Sequence, residues 1–184
     1  MRLKKLLNRE GAAMVVLLET AKLSGVEMDG FCKCIGGYEG VYADSRGRSA
    51  GVAILWKEEI RVEIISSTAH HLDVKVMGLF GEHKWRLKGF CGWADSEQNH
   101  LSWQLLRDIQ EFSSLPWLVA GDFNQILFGE EKKRGVPRSQ RKMEEFREAL
   151  DDCGLKDIGC EGQPFTWCNK REGHEIYMRD LIVL

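Results

Sequence analysis

No apolar run in this sequence approaches the ~20 residues that a membrane-spanning helix requires. Neither sign of charge dominates: 26 basic residues face 28 acidic ones. That balance excludes a globally basic nucleic-acid coat and leaves room for a local basic patch. Paired CxxC units are also missing. The cysteines, Cys32, Cys34, Cys91, Cys153, Cys160 and Cys168, are scattered, which removes the framework of a structural zinc site and suggests reduced thiols in an intracellular protein. The opening MRLKKLLNREGAAMVVLLET has the outline of a secretory leader, but Arg9 and Glu10 split its apolar stretches and no small-residue cleavage site follows before Glu19, so secretion is not expected. No internal repeat and no linker is visible. His70, His71, His83 and His100 fall in strand ends and loops without metal or catalytic spacing, and each is expected to be a solvated surface histidine.

What is present is enough apolar material for one core. A chain of 184 residues that is 43% apolar suits a single domain over 1–184 and is short for two. Period-two alternation predicts strands at Met14–Leu18, Gly51–Trp56, Ile60–Ile65, Leu72–Met77 and Trp85–Cys91. In the fourth, Leu72, Val74 and Val76 face one way, toward a core, while Asp73 and Lys75 face a wetter side. Leu101, Leu105, Ile109 and Phe112 form the stripe of an amphipathic helix. Met143, Phe146 and Leu150 form a second, with Ser139 as N-cap and Gly154 ending it. Pro116 precedes Trp117–Ala120, an apolar strand of the kind buried on both sides. The tail over Phe165–Trp167 and Glu175–Leu184 reads as extended. Strands mixed with separated helices predict a layered α/β or α+β domain, two packed sheets with helices outside.

Gly121-Asp122-Phe123-Asn124 is the most informative tetrapeptide. It sets a carboxylate and a carboxamide two residues apart where a buried strand opens to solvent, so both side chains can point the same way. That pair suits phosphodiester hydrolysis: Asp122 can orient and deprotonate a water, and the Asn124 amide can donate to a phosphate oxygen as charge develops. A plain Asx turn is the competing reading.

Order and spacing around it carry a resemblance. Val15–Leu18 followed by Glu19-Thr20, Gly51–Trp56, Phe90-Cys91-Gly92-Trp93 and Trp103–Arg107 are similar, in order, to elements of the endonuclease/exonuclease/phosphatase (deoxyribonuclease I-like) superfamily. So are Pro116-Trp117 through Gly121–Leu127, Glu131-Lys132, Met143, Phe146-Arg147, Leu155–Gly159 and Gly162–Trp167. The sequence most resembles the endonuclease domain of plant LINE-type non-LTR retrotransposons, and nearly the whole chain takes part. The resemblance implies a four-layer α/β sandwich and a Mg²⁺-dependent endonuclease, with Mn²⁺ as an alternative ion and the DNA phosphate backbone as partner. It implies Glu19 as the metal carboxylate, Asp122 and Asn124 in the roles above, and Thr166 beside the substrate phosphate. A nuclear setting goes with that family; no membrane and no obligate protein partner are implied.

Departures from the pattern lower the expected activity. The family begins with a strand ending in an asparagine, and Asn8, in a basic helix-like Leu-Lys-Lys-Leu-Leu context, does not take that role. Ala21 separates Thr20 from Lys22 where the family reads Glu-Thr-Lys. At the family's phosphate-contacting tyrosine stands Cys91, a weaker and shorter donor, itself readable as a small buried residue. Asp180 resembles the aspartate that orients a closing catalytic histidine, but no Ser-Asp-His triplet follows. The expectation is therefore a domain incomplete at both terminal strands, with turnover impaired. The alternatives are a non-catalytic remnant with weak nucleic-acid binding and, behind it, a host phosphatase of the same fold. The basic group Lys132, Lys133, Arg134, Arg138, Arg141 and Lys142 is read first as a solvated loop and helix start, offset by Glu130, Glu131, Glu144 and Glu145, and second as a phosphate contact. The apolar end, Leu181-Ile182-Val183-Leu184, is expected to pair with another chain and to limit solubility.

Overall fold

A computed structural model describes residues 2–18, 20, 25–43, 51–77, 83–111, 114–159, 167–168, 177–178 and 181–183. The chain divides into two compact units, Met1–Cys91 with Leu115–Trp117, and Gly92–Ser114 with Leu118–Leu184.

In the first unit α1 (Arg2–Glu10), β1 (Met14–Leu18), α2 (Gly25–Ile35), β2 (Tyr38–Ala43) and β3 (Val52–Lys57) precede a meander of β4 (Arg61–Thr68), β5 (His71–Met77) and β6 (Lys84–Cys91). β3 lies between β1 and β2, antiparallel to both. Its alternation explains the packing: Ala53 and Leu55 join Leu7, Met28, Ile35 and Tyr38 in a cluster that covers the sheet with α1 and α2. Val52 and Ile54, on the opposite face, approach β6. A Cβ on Gly89 would lie 2.3 Å from Val52 Cγ1 and 3.3 Å from Val16 Cγ1. The two sheets meet there closely enough to require glycine. Strands β1, β3, β4, β5 and β6 fall where alternation predicts them, whereas α2 and β2 were not anticipated. Gly30 inside the helix and Gly40 inside the strand weaken both local signals.

The second face of the meander contradicts two expectations. Asp73 is completely buried rather than on a wet side, and His71 is 3% exposed rather than solvated. The reason is cross-strand register: Lys88 stands directly opposite Asp73, and Arg86 lies diagonally across on the same face. Arg86 Nε donates to Asp73 Oδ1 at 3.1 Å, its Nη2 donates to Oδ2, and Lys88 Nζ is 3.8 Å from Oδ2. The segment Leu115–Trp117 covers the group: Arg86 N donates to Pro116 O, and the Trp117 ring centroid is 3.6 Å from Lys88 Nζ. From β4, Ser66 Oγ lies 2.9 Å from His71 Nε2 and Thr68 Oγ1 lies 2.8 Å from Nδ1. Burial pushes the His71 pKa down, against an opposing pull from Asp73. A buried polar layer therefore backs this sheet. His83 and His100 are exposed as expected, and His70 is half-buried.

In the second unit α3 (Asn99–Glu111) and α4 (Gln140–Asp152) pack through Trp103 and Phe146, whose rings stack at 4.5 Å. The buried stripe of α3 is Ser102, Trp103, Leu106 and Ile109; Leu101, predicted inside, is exposed and Leu105 only half-buried. Trp103 sets the phase because its ring is the larger surface to bury. The α4 stripe Met143, Phe146, Leu150 is buried as predicted. Ser139 stands at the N-cap with extended backbone but its hydroxyl makes no capping bond, while Gly154 ends the helix at φ 63°. β7 (Trp117–Asp122) starts at the last residue of the first unit and continues here, half-buried along much of its length rather than buried on both sides. β8 (Lys132–Lys133), β9 (Trp167–Cys168) and β10 (Tyr177–Met178) form a small sheet in the order β8-β10-β9. β11 (Leu181–Val183) pairs with β7 of its own chain, Leu181 opposite Asp122 and Val183 opposite Ala120. One side of the run expected to pair with another chain is thus occupied.

Candidate active site

The site grows out of the end of β7. Phe123 is fully buried, its ring 5.3 Å from that of Phe146, and this anchor holds the turn that follows Asp122. Asp122 Oδ1 accepts the Asn124 amide at 2.8 Å, and Asn124 has φ 54°, a left-handed conformation that asparagine tolerates better than most residues. The Asx turn therefore exists. A carboxylate accepts up to about four hydrogen bonds, and the turn bond to the Asn124 amide takes one of those positions on Asp122.

A second strand of backbone locks the other side. Gly92 N donates to Asp122 O at 2.8 Å, and Asn124 Nδ2 donates to Gly92 O at 3.0 Å. A Cβ on Gly92 would sit 2.7 Å from Phe123 O, so this approach requires glycine. Trp93 N in turn donates to the buried Ser102 Oγ of α3 at 2.9 Å. Asp122 and Asn124 are both half-buried. One of the two amide hydrogens of Asn124 is committed to Gly92, which leaves the other to donate. Sequence reasoning missed the parts played by Gly92 and Ser102; a glycine directly after a strand was the available signal for close backbone approach.

Cys91 ends β6 in the first unit, 6% exposed, its N donating to His70 O and its O meeting His70 Nδ1, both at 2.8 Å. It is a small buried residue there. Among the described residues Cys32, Cys34 and Cys153 likewise form no disulfide. Glu19, Thr166 and Asp180 lie outside the described residues. Among the described residues no three His, Cys, Asp or Glu side chains gather at one point. Mg²⁺ does not need such a cage, since it takes one or two carboxylates together with waters and phosphate oxygens. The donors at the turn, a carboxylate and a carboxamide oxygen, are of the hard type that Mg²⁺ and Mn²⁺ prefer. They fit the ion in chemistry.

Residues 2–184 match the model of the endonuclease/exonuclease/phosphatase family. The chain belongs to that family. Among solved structures it is similar to the endonuclease domain of TRAS1, a telomere-specific non-LTR retrotransposon, at 16% identity and TM-score 0.72, covering 98% of this chain and 76% of that one. It is also similar to the AP endonuclease LMAP from Leishmania major, at 13% identity and TM-score 0.69, covering 98% and 72%. A third is TDP2 from D. rerio complexed with single strand DNA product, at 16% identity and TM-score 0.61, covering 99% and 74%. A search of curated proteins gives no match. At these identities the likeness establishes the fold, a mixed α/β fold like that of the deoxyribonuclease I-like family members.

The basic group of the 132–142 stretch is largely occupied with its own surroundings. Lys132 donates to Val136 O, Arg141 pairs with Glu145 and Lys142 with Glu97.

Proposed function

We propose that this chain is a Mg²⁺-dependent phosphodiester hydrolase that nicks DNA, of the kind a LINE-type retroelement uses to prime reverse transcription, with turnover impaired in this copy. The observation that carries the reading is the hydrogen-bonded closure of Gly92, Asp122 and Asn124, which holds a carboxylate and an amide donor side by side at a strand end. Preorganised groups of this kind act on developing charge without reorganising during the reaction.

In this reading Asp122 accepts the proton of the attacking water and fixes its direction. Asn124 donates its remaining amide hydrogen to a non-bridging phosphate oxygen. Glu19 is assigned to hold the ion and Thr166 to lie beside the phosphate, both by family likeness; Asp180 resembles the aspartate that orients a closing histidine, and this sequence supplies no such histidine for it to act on. A bound Mg²⁺, or Mn²⁺ in its place, supplies Lewis-acid polarisation of the phosphoryl group. DNA-processing relatives of the same fold, such as TDP2 with its single-strand product, support nucleic acid as the substrate class.

One observation favours a second reading, a non-catalytic domain that binds nucleic acid weakly. Cys91 is buried where the family places a phosphate-contacting tyrosine, so that contact has no phenol to make it. A plasmid-nicking assay separates the two. Supercoiled DNA with Mg²⁺ is expected to be nicked slowly by the full chain and not detectably by Asp122→Ala. Mg²⁺-dependent nicking that survives this substitution would remove Asp122 from the chemistry, and absence of nicking by the unaltered chain would favour the binding module.

A further inference from the structure

A second site lies in the second unit, where the first turns of α3 and α4 face a hollow of about 420 Å³. Asn99, the first residue of α3, lines it and is 3% exposed, yet among the described residues neither its Nδ2 nor its Oδ1 has a hydrogen-bond partner. Leaving a buried amide unpaired carries its full desolvation penalty, so such a group is expected to have a partner that the polypeptide does not supply. Ser139, at the α4 N-cap, also lines the hollow with its hydroxyl uncommitted to capping. Each of the two helices has 13 residues. The first amides of α4 point outward with the positive end of the helix dipole, whereas α3 continues directly from a turn over Ser96–Gln98 that Asp95 caps.

The charges around the hollow are paired in a way that an incoming anion can undo. Lys142 Nζ donates to Ser96 O and to Glu97 Oε1, both at 2.8 Å, but the Glu97 side chain is 83% exposed. Arg141 pairs with Glu145 at 2.8 Å with its own side chain 87% exposed. His100 Nδ1 lies 3.0 Å from Glu97 O. Exposed pairs of this kind are screened by solvent and contribute little, so exchanging Glu97 for a better acceptor costs little.

We propose that the hollow between the N-termini of α3 and α4 is a phosphate oxyanion site, in which Asn99 Nδ2, Ser139 Oγ, Lys142 and the first amides of α4 are the donors and Glu97 is displaced by the ligand. If the phosphate belongs to a nucleic-acid strand, the inference deepens the proposed function by adding a strand-positioning contact apart from Asp122; it stands without that reading if the ligand is free phosphate.

The test uses the full chain in EDTA, so that cleavage plays no part. Anisotropy of a labelled single-stranded 12-mer deoxyoligonucleotide, and the thermal midpoint with and without inorganic phosphate, are measured for the unaltered chain and for Glu97→Gln, Lys142→Met and Asn99→Asp. Loss of one charge-assisted phosphate contact is expected to weaken binding about tenfold in Lys142→Met and Asn99→Asp. Glu97→Gln, on an exposed side chain, is expected to tighten it several-fold. Displacement of the oligonucleotide by phosphate assigns the site to a strand, and a phosphate-dependent midpoint shift without oligonucleotide binding assigns it to a free phosphate; both support the oxyanion site. Unchanged or weakened binding in Glu97→Gln overturns it, even if Asn99→Asp fails to fold. A chain that nicks DNA yet binds phosphate and oligonucleotide identically in all variants sinks this inference alone, whereas variant-dependent binding without any nicking sinks only the endonuclease reading.

Discussion

Replacing Asp73 by asparagine keeps the side chain's volume and removes its charge, and the structure sets the size of the effect. Two cations, Arg86 and Lys88, face that carboxylate, and the side chains of all three residues are at most 1% exposed. Removing one partner of a buried ion pair leaves the other in a poorly polarisable interior, at a cost of about 3–5 kcal/mol. A typical domain has only about 5–15 kcal/mol to lose, so the substitution is expected to remove a large part of the stability. Asp152→Asn is the internal control. It breaks the Arg107–Asp152 pair, whose side chains are 39% and 55% exposed, and is expected to cost no more than about 1 kcal/mol. Urea unfolding followed by tryptophan fluorescence measures both, with Trp117 placed over Lys88 as a local reporter. Equal shifts of the unfolding midpoint in the two variants would refute the claim that the polar layer behind β5 and β6 is buried and charged.

Gly92→Ala puts a methyl group 2.7 Å from Phe123 O, and backbone cannot yield as a side chain tip can. Such overpacking is expected to cost about 1–3 kcal/mol, read as a lower thermal midpoint; an unchanged midpoint would mean that Gly92 and Phe123 do not approach as described. His71 is held neutral by burial, its folded pKa lying below that of the unfolded chain. Between that folded value and about 6.5 the unfolded state binds more protons, so stability falls as pH drops through this window, at up to about 1.4 kcal/mol per pH unit. His71→Gln is expected to flatten that stretch of the stability–pH curve, and an unaltered acid slope would assign the titration to other groups.

Much of the scaffold was legible because it is written in local patterns. The Val52–Leu55 run, the alternation of Leu72, Val74 and Val76, and the Met143, Phe146, Leu150 stripe each encode a buried face in residues close along the chain. The Gly121–Asn124 turn was legible for the same reason, since Asp122 bonds a backbone amide two residues on. What sequence could not settle is where two faces of one strand end up. Asp73 reads as a solvent residue until Lys88 and Arg86 arrive from β6 and Trp117 closes over them, and His71 reads as surface until Ser66 and Thr68 take its two nitrogens. Nor could it show that Gly92 is held against Phe123, or that Asn99 is buried without a partner among the described residues. The sequence by itself determined strands β1, β3 to β7, helices α3 and α4 and the carboxylate–carboxamide pair, because short-range periodicity and turn chemistry depend only on neighbours. Tertiary structure alone decided which polar groups lost their water, because desolvation depends on residues brought together from distant positions.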